Sequence, residues 1–243
     1  MLRSVKSLIG YKIGATDGPL GKVDSFLFHD DSWIFRYLVV DTGNWLPGRK
    51  VLISPVSLEQ PVTKVKMLPV NLNREQVKNS PDIDMDKPIS RQAEIELHKY
   101  YDWTPYWIGG GFVAPVEPSS EEKKEAAVAA KEKVDLLLRS TQEVVGYHIH
   151  ATDGDIGHAE DFVLDDESWI IRYLVDTKNW LPGRSVLISP QWIEKISWSD
   201  SKVWIDLLKN QIKDSPKYDP LAAVNQEYET RLYDYYGRPK YWA

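Results

Sequence analysis

Three histidines and two carboxylates crowd one stretch of this chain. His148-x-His150 places two imidazoles on one face of an extended segment, because side chains alternate along a strand. His158 lies across the turn on the return strand, and Asp153 and Asp155 sit in the turn itself. Three imidazoles with a carboxylate make a donor set that zinc or nickel accepts. The alternative is a set of outward-facing polar residues with no ligand. A second set surrounds Arg49 and Arg184, each of which follows the residues Trp-Leu-Pro-Gly. These arginines are either anion sites or the cationic halves of pairs with Asp41 and Asp176 at the base of a loop. The same loops carry Trp45, Leu46, Trp180 and Leu181. Apolar residues in a loop are either tucked onto the core or offered to a partner, and tryptophan is a frequent interface anchor. Trp45, Leu46, Arg49, Trp180, Leu181 and Arg184 are therefore the candidate partner-binding residues. The acidic runs Asp30-Asp31 and Asp165-Asp166-Glu167 read as solvated turn residues, since they lack the twelve-residue spacing of a calcium loop.

The elements that must position these residues occur twice. Trp45-Leu46-Pro47-Gly48-Arg49 returns as Trp180-Leu181-Pro182-Gly183-Arg184, and Arg36-Tyr37-Leu38-Val39 returns as Arg172-Tyr173-Leu174-Val175. Between residues 2–55 and 138–190, about 33 of 53 aligned positions are identical. The likeness continues more weakly through Tyr106-Trp107 and Tyr241-Trp242. The expected organisation is a first copy over 2–107, a Gly-rich break and linker helix over 108–137, and a second copy over 138–243, the two packed as a pseudo-symmetric pair within one chain. Val39-Val40-Asp41 shortens to Val175-Asp176 in the second copy. A one-residue slip turns every later side chain to the other face, so the sequence predicts a bulge near Val39-Val40 that is missing near Val175.

Within each copy the first half reads as strand. Turn signals at Thr16-Asp17-Gly18, alternation from Trp33 to Val40 and a hairpin pattern around Ser199-Asp200-Ser201 predict five or six short strands closed into a small barrel. The second half reads as helix. Asn73 with Gln76 has capping-box spacing, and Ser90 and Asn225 are N-caps for a longer helix that ends in an aromatic tail. The tail must dock to hide its rings, on its own barrel or on the other. The expected fold class is mainly β with short helices (α+β).

No histidine is repeated between the copies, and neither a serine–histidine–acid set nor a nucleophile elbow is present. The absence of cysteine excludes a thiol nucleophile, a disulfide framework and a zinc–cysteine site. No enzyme activity and no cofactor are expected. The formal charge of −6 argues against a nucleic-acid partner. No apolar run is long enough to span a membrane, and residues 1–6 lack a leader-like apolar stretch, so a cytoplasmic location is expected.

The order Asp17-Gly18-x-x-Gly21, Trp33, Arg36-Tyr37-Leu38-Val39, Trp45-Leu46-Pro47-Gly48-Arg49 and Val51-Leu52-Ile53-Ser54-Pro55 resembles the PRC-barrel family, named for the cytoplasmic part of the photosynthetic reaction-centre H subunit and found also as the C-terminal domain of a ribosome-maturation factor. The resemblance implies tandem small β-barrels with helical extensions, and a binding and scaffolding module that contacts a protein partner. The alternative is a metal- or small-ligand-binding protein that uses a cleft between the barrels or the His148, His150, His158 cluster.

Overall fold

The computed structural model describes residues 1–85, 87–107, 138–177, 184–220 and 222–242. The expected linker helix within 108–137 lies outside them. The first copy contributes β1 (Leu2–Ser4), α1 (Val5–Leu8), β2 (Lys12–Ala15), β3 (Gly18–His29), β4 (Phe35–Asp41), β5 (Lys50–Ile53), β6 (Met67–Pro69), α2 (Arg74–Lys78) and α3 (Arg91–Tyr101). The second contributes β7 (Leu138–Ser140), α4 (Thr141–Val144), β8 (His148–Ala151), β9 (Gly154–Asp165), β10 (Ile170–Thr177), β11 (Ser185–Ile188), β12 (Ile193–Ser197), β13 (Lys202–Ile205), α5 (Lys209–Asp214) and α6 (Gln226–Tyr236).

Each copy builds one mixed sheet. The orders are β5-β4-β3-β2-β6 and β11-β10-β9-β8-β13-β12, with the β2–β6 and β8–β13 pairs parallel. Among the described residues no ladder joins β5 to β6 or β11 to β12, so the barrel expectation is met only in its coarser form: two β-rich sheets flanked by short helices. The β2–β3 turn is drawn tight against β4. Gly21 has φ +155°, and a Cβ there would lie 2.1 Å from the Asp41 carbonyl oxygen, so only glycine fits.

The first strand of each copy is exchanged. β1 pairs with β9, matching Leu2 to Asp165 and Ser4 to Val163, while β7 pairs with β3, matching Leu138 to His29 and Ser140 to Leu27. Each copy therefore completes the other's sheet. Arg3 Nε binds the buried Asp166 carboxylate, and the Met1 amine lies 2.5 Å from its other oxygen. The equivalent Arg139 stands 3.7 Å from Asp30. Asp161 accepts hydrogen bonds from the Ser4 hydroxyl (2.5 Å) and the Lys6 N–H (2.9 Å). The acidic runs are thus solvated only in part: Asp31 and Glu167 are exposed turn residues, as expected, but their neighbours are not. Asp30 is half-buried, Asp166 is fully buried, and both anchor the exchanged strands.

A pseudo-twofold axis runs through the seam. Ile34 bridges its own counterpart Ile170, with Phe35 N–H donating to the Trp169 carbonyl and Ile171 N–H to the Trp33 carbonyl, both at 2.8 Å. Trp33 and Trp169 adopt φ +58° and +56°, a left-handed conformation that is costly for a bulky residue. Both close a turn in which the tryptophan N–H reaches back four residues, and both aim their carbonyls across the seam. Phe28 and Phe162 meet beside it with ring centroids 6.0 Å apart, so one hydrophobic core runs through both copies.

The expected difference between the copies does not occur: a bulge lies opposite Val39-Val40, with Asp24 of β3 as the extra residue, and Glu160 of β9 makes the same bulge opposite Val175-Asp176. Val23 pairs with Val40 as Ala159 pairs with Asp176, and Val40 pairs with Val51 as Asp176 pairs with Val186. Asp176 thus occupies the position of Val40, not that of Asp41, and the residue the second copy lacks falls after Thr177. A second bulge, in β4 and β10, also falls at matching positions in the two copies.

The helical parts follow their caps. Asn73 and Gln76 form the capping box of α2, and Ser90 and Asn225 cap α3 and α6. Asp17 and Asp153 accept the first helical N–H of α2 and α5, each at 2.8 Å. Among the described residues no helix is long and apolar enough to cross a membrane.

Candidate functional site: two clefts along the seam

A bulge positions one arginine in each copy. Leu27 pairs with Tyr37 and Phe28 with Phe35, which leaves Arg36 as the extra residue of β4; the same count leaves Arg172 extra in β10. A bulge re-aims the side chain it carries. Here it turns each guanidinium onto the aromatic tail of its own copy, with Arg36 3.9 Å from the Tyr106 ring centroid and Arg172 4.1 Å from that of Tyr241. The tail therefore docks on its own sheet.

A buried carboxylate holds the tail from behind. Glu94 accepts the hydroxyls of Tyr37 (3.0 Å) and Tyr106 (2.6 Å) and a 2.7 Å bond from Arg91, while Glu229 accepts those of Tyr173 and Tyr241, both at 2.7 Å. Burial pushes the Glu94 carboxyl up, against the Tyr106 hydrogen bond and the Arg91 charge that favour its ionised form. Burial likewise lowers the His98 imidazole, whose Nε2 lies 2.8 Å from the Tyr37 hydroxyl. Sequence reasoning missed this pair of carboxylates. Its signal was present: a glutamate stands four residues after the N-cap in both copies, and a tyrosine follows Arg36 and Arg172.

Two clefts open in front of these arginines, each walled by both copies. One, of about 630 Å³, lies between the Asp30–Trp33 turn and Arg172, Pro190, Trp198 and Tyr241. The other, of about 490 Å³, lies between the Asp166–Trp169 turn and Arg36, Pro55, His98 and Tyr106. They are equivalent under the pseudo-twofold axis, and their linings exchange His98 for Tyr233, Gln60 for Lys195 and Val56 for Gln191. Both volumes suit one or two side chains or a small organic molecule.

The sequence-derived candidates sit elsewhere. Trp45 is half-buried against the core, with Arg74 4.9 Å from its ring centroid, so it is tucked in. Leu46 is half-buried, and its carbonyl accepts the Thr42 hydroxyl at 2.8 Å. Arg49 does not pair with Asp41. It caps the end of α2, donating to the carbonyls of Lys78 (2.6 Å) and Pro81 (3.3 Å) and to Ser80, and stands 3.4 Å from Asp82. Arg184 likewise donates to the Ser215 carbonyl. Trp180 and Leu181 lie outside the described residues.

The histidines do not converge. His148 and His158 form a cross-strand pair with ring centroids 4.3 Å apart. His150 instead turns to Asp155, 2.5 Å away, and stacks on Trp204. Among the described residues the one set whose ligating atoms lie within 4.8 Å of one another is His29, Asp30 and Asp31. There Arg139 already faces Asp30, so that set is the acceptor side of the strand exchange. No protein-family model matches this chain, and no curated protein matches it.

Proposed function

We propose that this chain is a non-catalytic cytosolic adaptor of the PRC-barrel kind, which receives a protein partner in the paired clefts along its seam. The supporting observation is what the duplication repeats. Asp17 and Asp153 close helix N-termini, Arg49 and Arg184 close helix C-termini, and Glu94 and Glu229 hold the tails. The repeated polar side chains thus build a frame, and that frame leaves two equivalent clefts open along the seam. Trp45, Leu46 and Arg49 are bonded inward and make a poorer anchor than the clefts do. A second reading, a small-ligand carrier, is favoured by the volumes of the same clefts.

Affinity capture from an extract of the source organism tests the choice. Wild-type bait is compared with an Arg36→Glu, Arg172→Glu variant and with Trp45→Ala. The adaptor reading expects a protein retained by wild type and Trp45→Ala but lost from the charge-reversed variant. If only small molecules co-purify, or if retention ignores the clefts, the reading is wrong.

A further inference from the structure

We propose that each cleft binds a single carboxylate joined to an apolar or aromatic group, with the Arg36 and Arg172 guanidinium edges as the anchors. The proposal rests on the binding-protein reading above and names the ligand chemistry of the same clefts. Three observations carry it.

The first is the state of the arginines. Arg36 is half-buried and forms neither a hydrogen bond nor an ion pair among the described residues, and its Nε is buried without a partner. The Arg172 Nε is in the same condition; its other contacts are long, 3.5 Å to the Ser168 hydroxyl and 3.8 Å to Asp165. Each guanidinium face is covered by a tail tyrosine while its edge borders the cleft. A desolvated guanidinium with an open edge is matched by a carboxylate, which it grips through two parallel hydrogen bonds.

The second is the company the arginine keeps. Glu59 and Glu167 border one cleft, and Asp31 and Glu194 the other, besides Asp166 and Asp30, whose charges Arg3 and Arg139 already face. Among the described residues Lys195 is the one further cation in the lining, and it borders the larger cleft. Such walls repel a polyanion or a phosphate dianion, whereas a monoanion placed on the arginine is tolerated. The third is the remaining lining. Ile170, Ile171, Ile193 and Pro190 in the larger cleft, and Ile34, Pro55 and Leu58 in the smaller, offer an apolar wall beside the arginine. The ligand's charge therefore needs an apolar neighbour. A bulged arginine, a tail tyrosine and an apolar wall recur in both clefts, so one ligand chemistry serves both.

The duplication supplies an internal control for the test. Arg36 shares its cleft with Trp169, and Arg172 shares its cleft with Trp33. The full chain, with assigned indole N–H signals, is titrated to tens of millimolar with phenylacetate, with the capped dipeptide acetyl-Glu-Phe-amide, and with inorganic phosphate. The two organic probes separate a free acid from a peptide side chain as the natural source. The expected result is saturable shifts at both Trp33 and Trp169 with at least one organic probe, and none with phosphate. Arg36→Gln should weaken the Trp169 response at least about tenfold and leave the Trp33 response intact; Arg172→Gln should do the reverse. The untouched cleft shows that each variant is folded. Absence of shifts with both organic probes, an equal response to phosphate, or loss of both responses in a single variant that keeps its thermal stability would overturn the proposal. Carboxylate binding without protein capture would sink the adaptor reading and leave this one standing; capture without carboxylate binding would do the opposite.

Discussion

Arg3→Ala should cost more than Arg139→Ala, although the two arginines hold equivalent positions in the two exchanged strands. The reason lies in the acceptors. The Asp166 side chain is 1% exposed and Arg3 binds it directly, whereas Asp30 is 13% exposed and Arg139 stands 3.7 Å away, sharing its charge with Glu143 at 3.3 Å. Removing one partner of a buried ion pair strands the other and costs about 3–5 kcal/mol. The Met1 amine stays beside Asp166, which holds the loss to about 2–3 kcal/mol. Loss of the looser Arg139 pair should cost about 1 kcal/mol. In a chain of this size each kcal/mol moves Tm by roughly 2–4 °C, so the expected drops are roughly 4–12 °C and 2–4 °C. Urea unfolding at neutral pH and calorimetry read both values. Adding Asp166→Asn to Arg3→Ala removes the stranded charge and should recover a large part of the loss. Equal losses for the two arginines, or no recovery in the double variant, would refute the claim that Asp166 is the buried anchor of the exchange.

Glu94 has its pKa raised by burial, so its contribution to stability is complete below its unfolded value near 4.5 and is lost as pH rises through the higher folded value. Urea midpoints of wild type and Glu94→Gln, measured from acid to neutral pH, should therefore show wild type losing ground to the variant as pH rises; a gap independent of pH would show that Glu94 is not the titrating group. The reciprocal exchange also predicts that cutting the chain at a protease site engineered between residues 108 and 137 leaves the halves bound. They should co-elute in size exclusion at micromolar concentration, and prompt separation would contradict the pairing of β1 with β9 and β7 with β3.

What could be read from the sequence was what acts locally. The capping box at Asn73 and Gln76, the caps at Ser90 and Asn225, and the hairpin of β12 and β13 each depend on a few neighbouring residues, and each forms where its spacing places it. The bulge expectation failed because matching letters were taken for matching register. Asp41 and Asp176 are both aspartates, yet Asp176 pairs as Val40 does. The strand exchange was illegible for a different reason. Both first strands read Leu-Arg-Ser, so either could pair with either sheet, and no local preference distinguishes the two arrangements. The candidate site suffered likewise. The wall of each cleft comes from two copies separated by more than a hundred residues, and the arginine that lines it was visible only as a repeated polar residue.

The seam also accounts for where the copies agree and where they differ. Leu2-Arg3-Ser4, Asp30, Trp33 and Ile34 all lie at the seam, and all have identical counterparts in the second copy. A twofold seam uses each residue type twice, once from either side, so a change in one copy alone breaks one of two matched contacts while its twin persists. On β2 and β8 no such constraint applies. There Lys12 faces His148 in the alignment, Gly14 faces His150, and Lys22 on β3 faces His158 on β9. The histidine cluster that first invites a metal is thus confined to one copy and lies away from the seam, whereas Arg36 and Arg172 are shared, bulged alike and seated at the two clefts the seam creates. The two clefts, unlike β2 and β8, present matched chemistry from both copies, because each is lined by the same arginine, tyrosine and tryptophan.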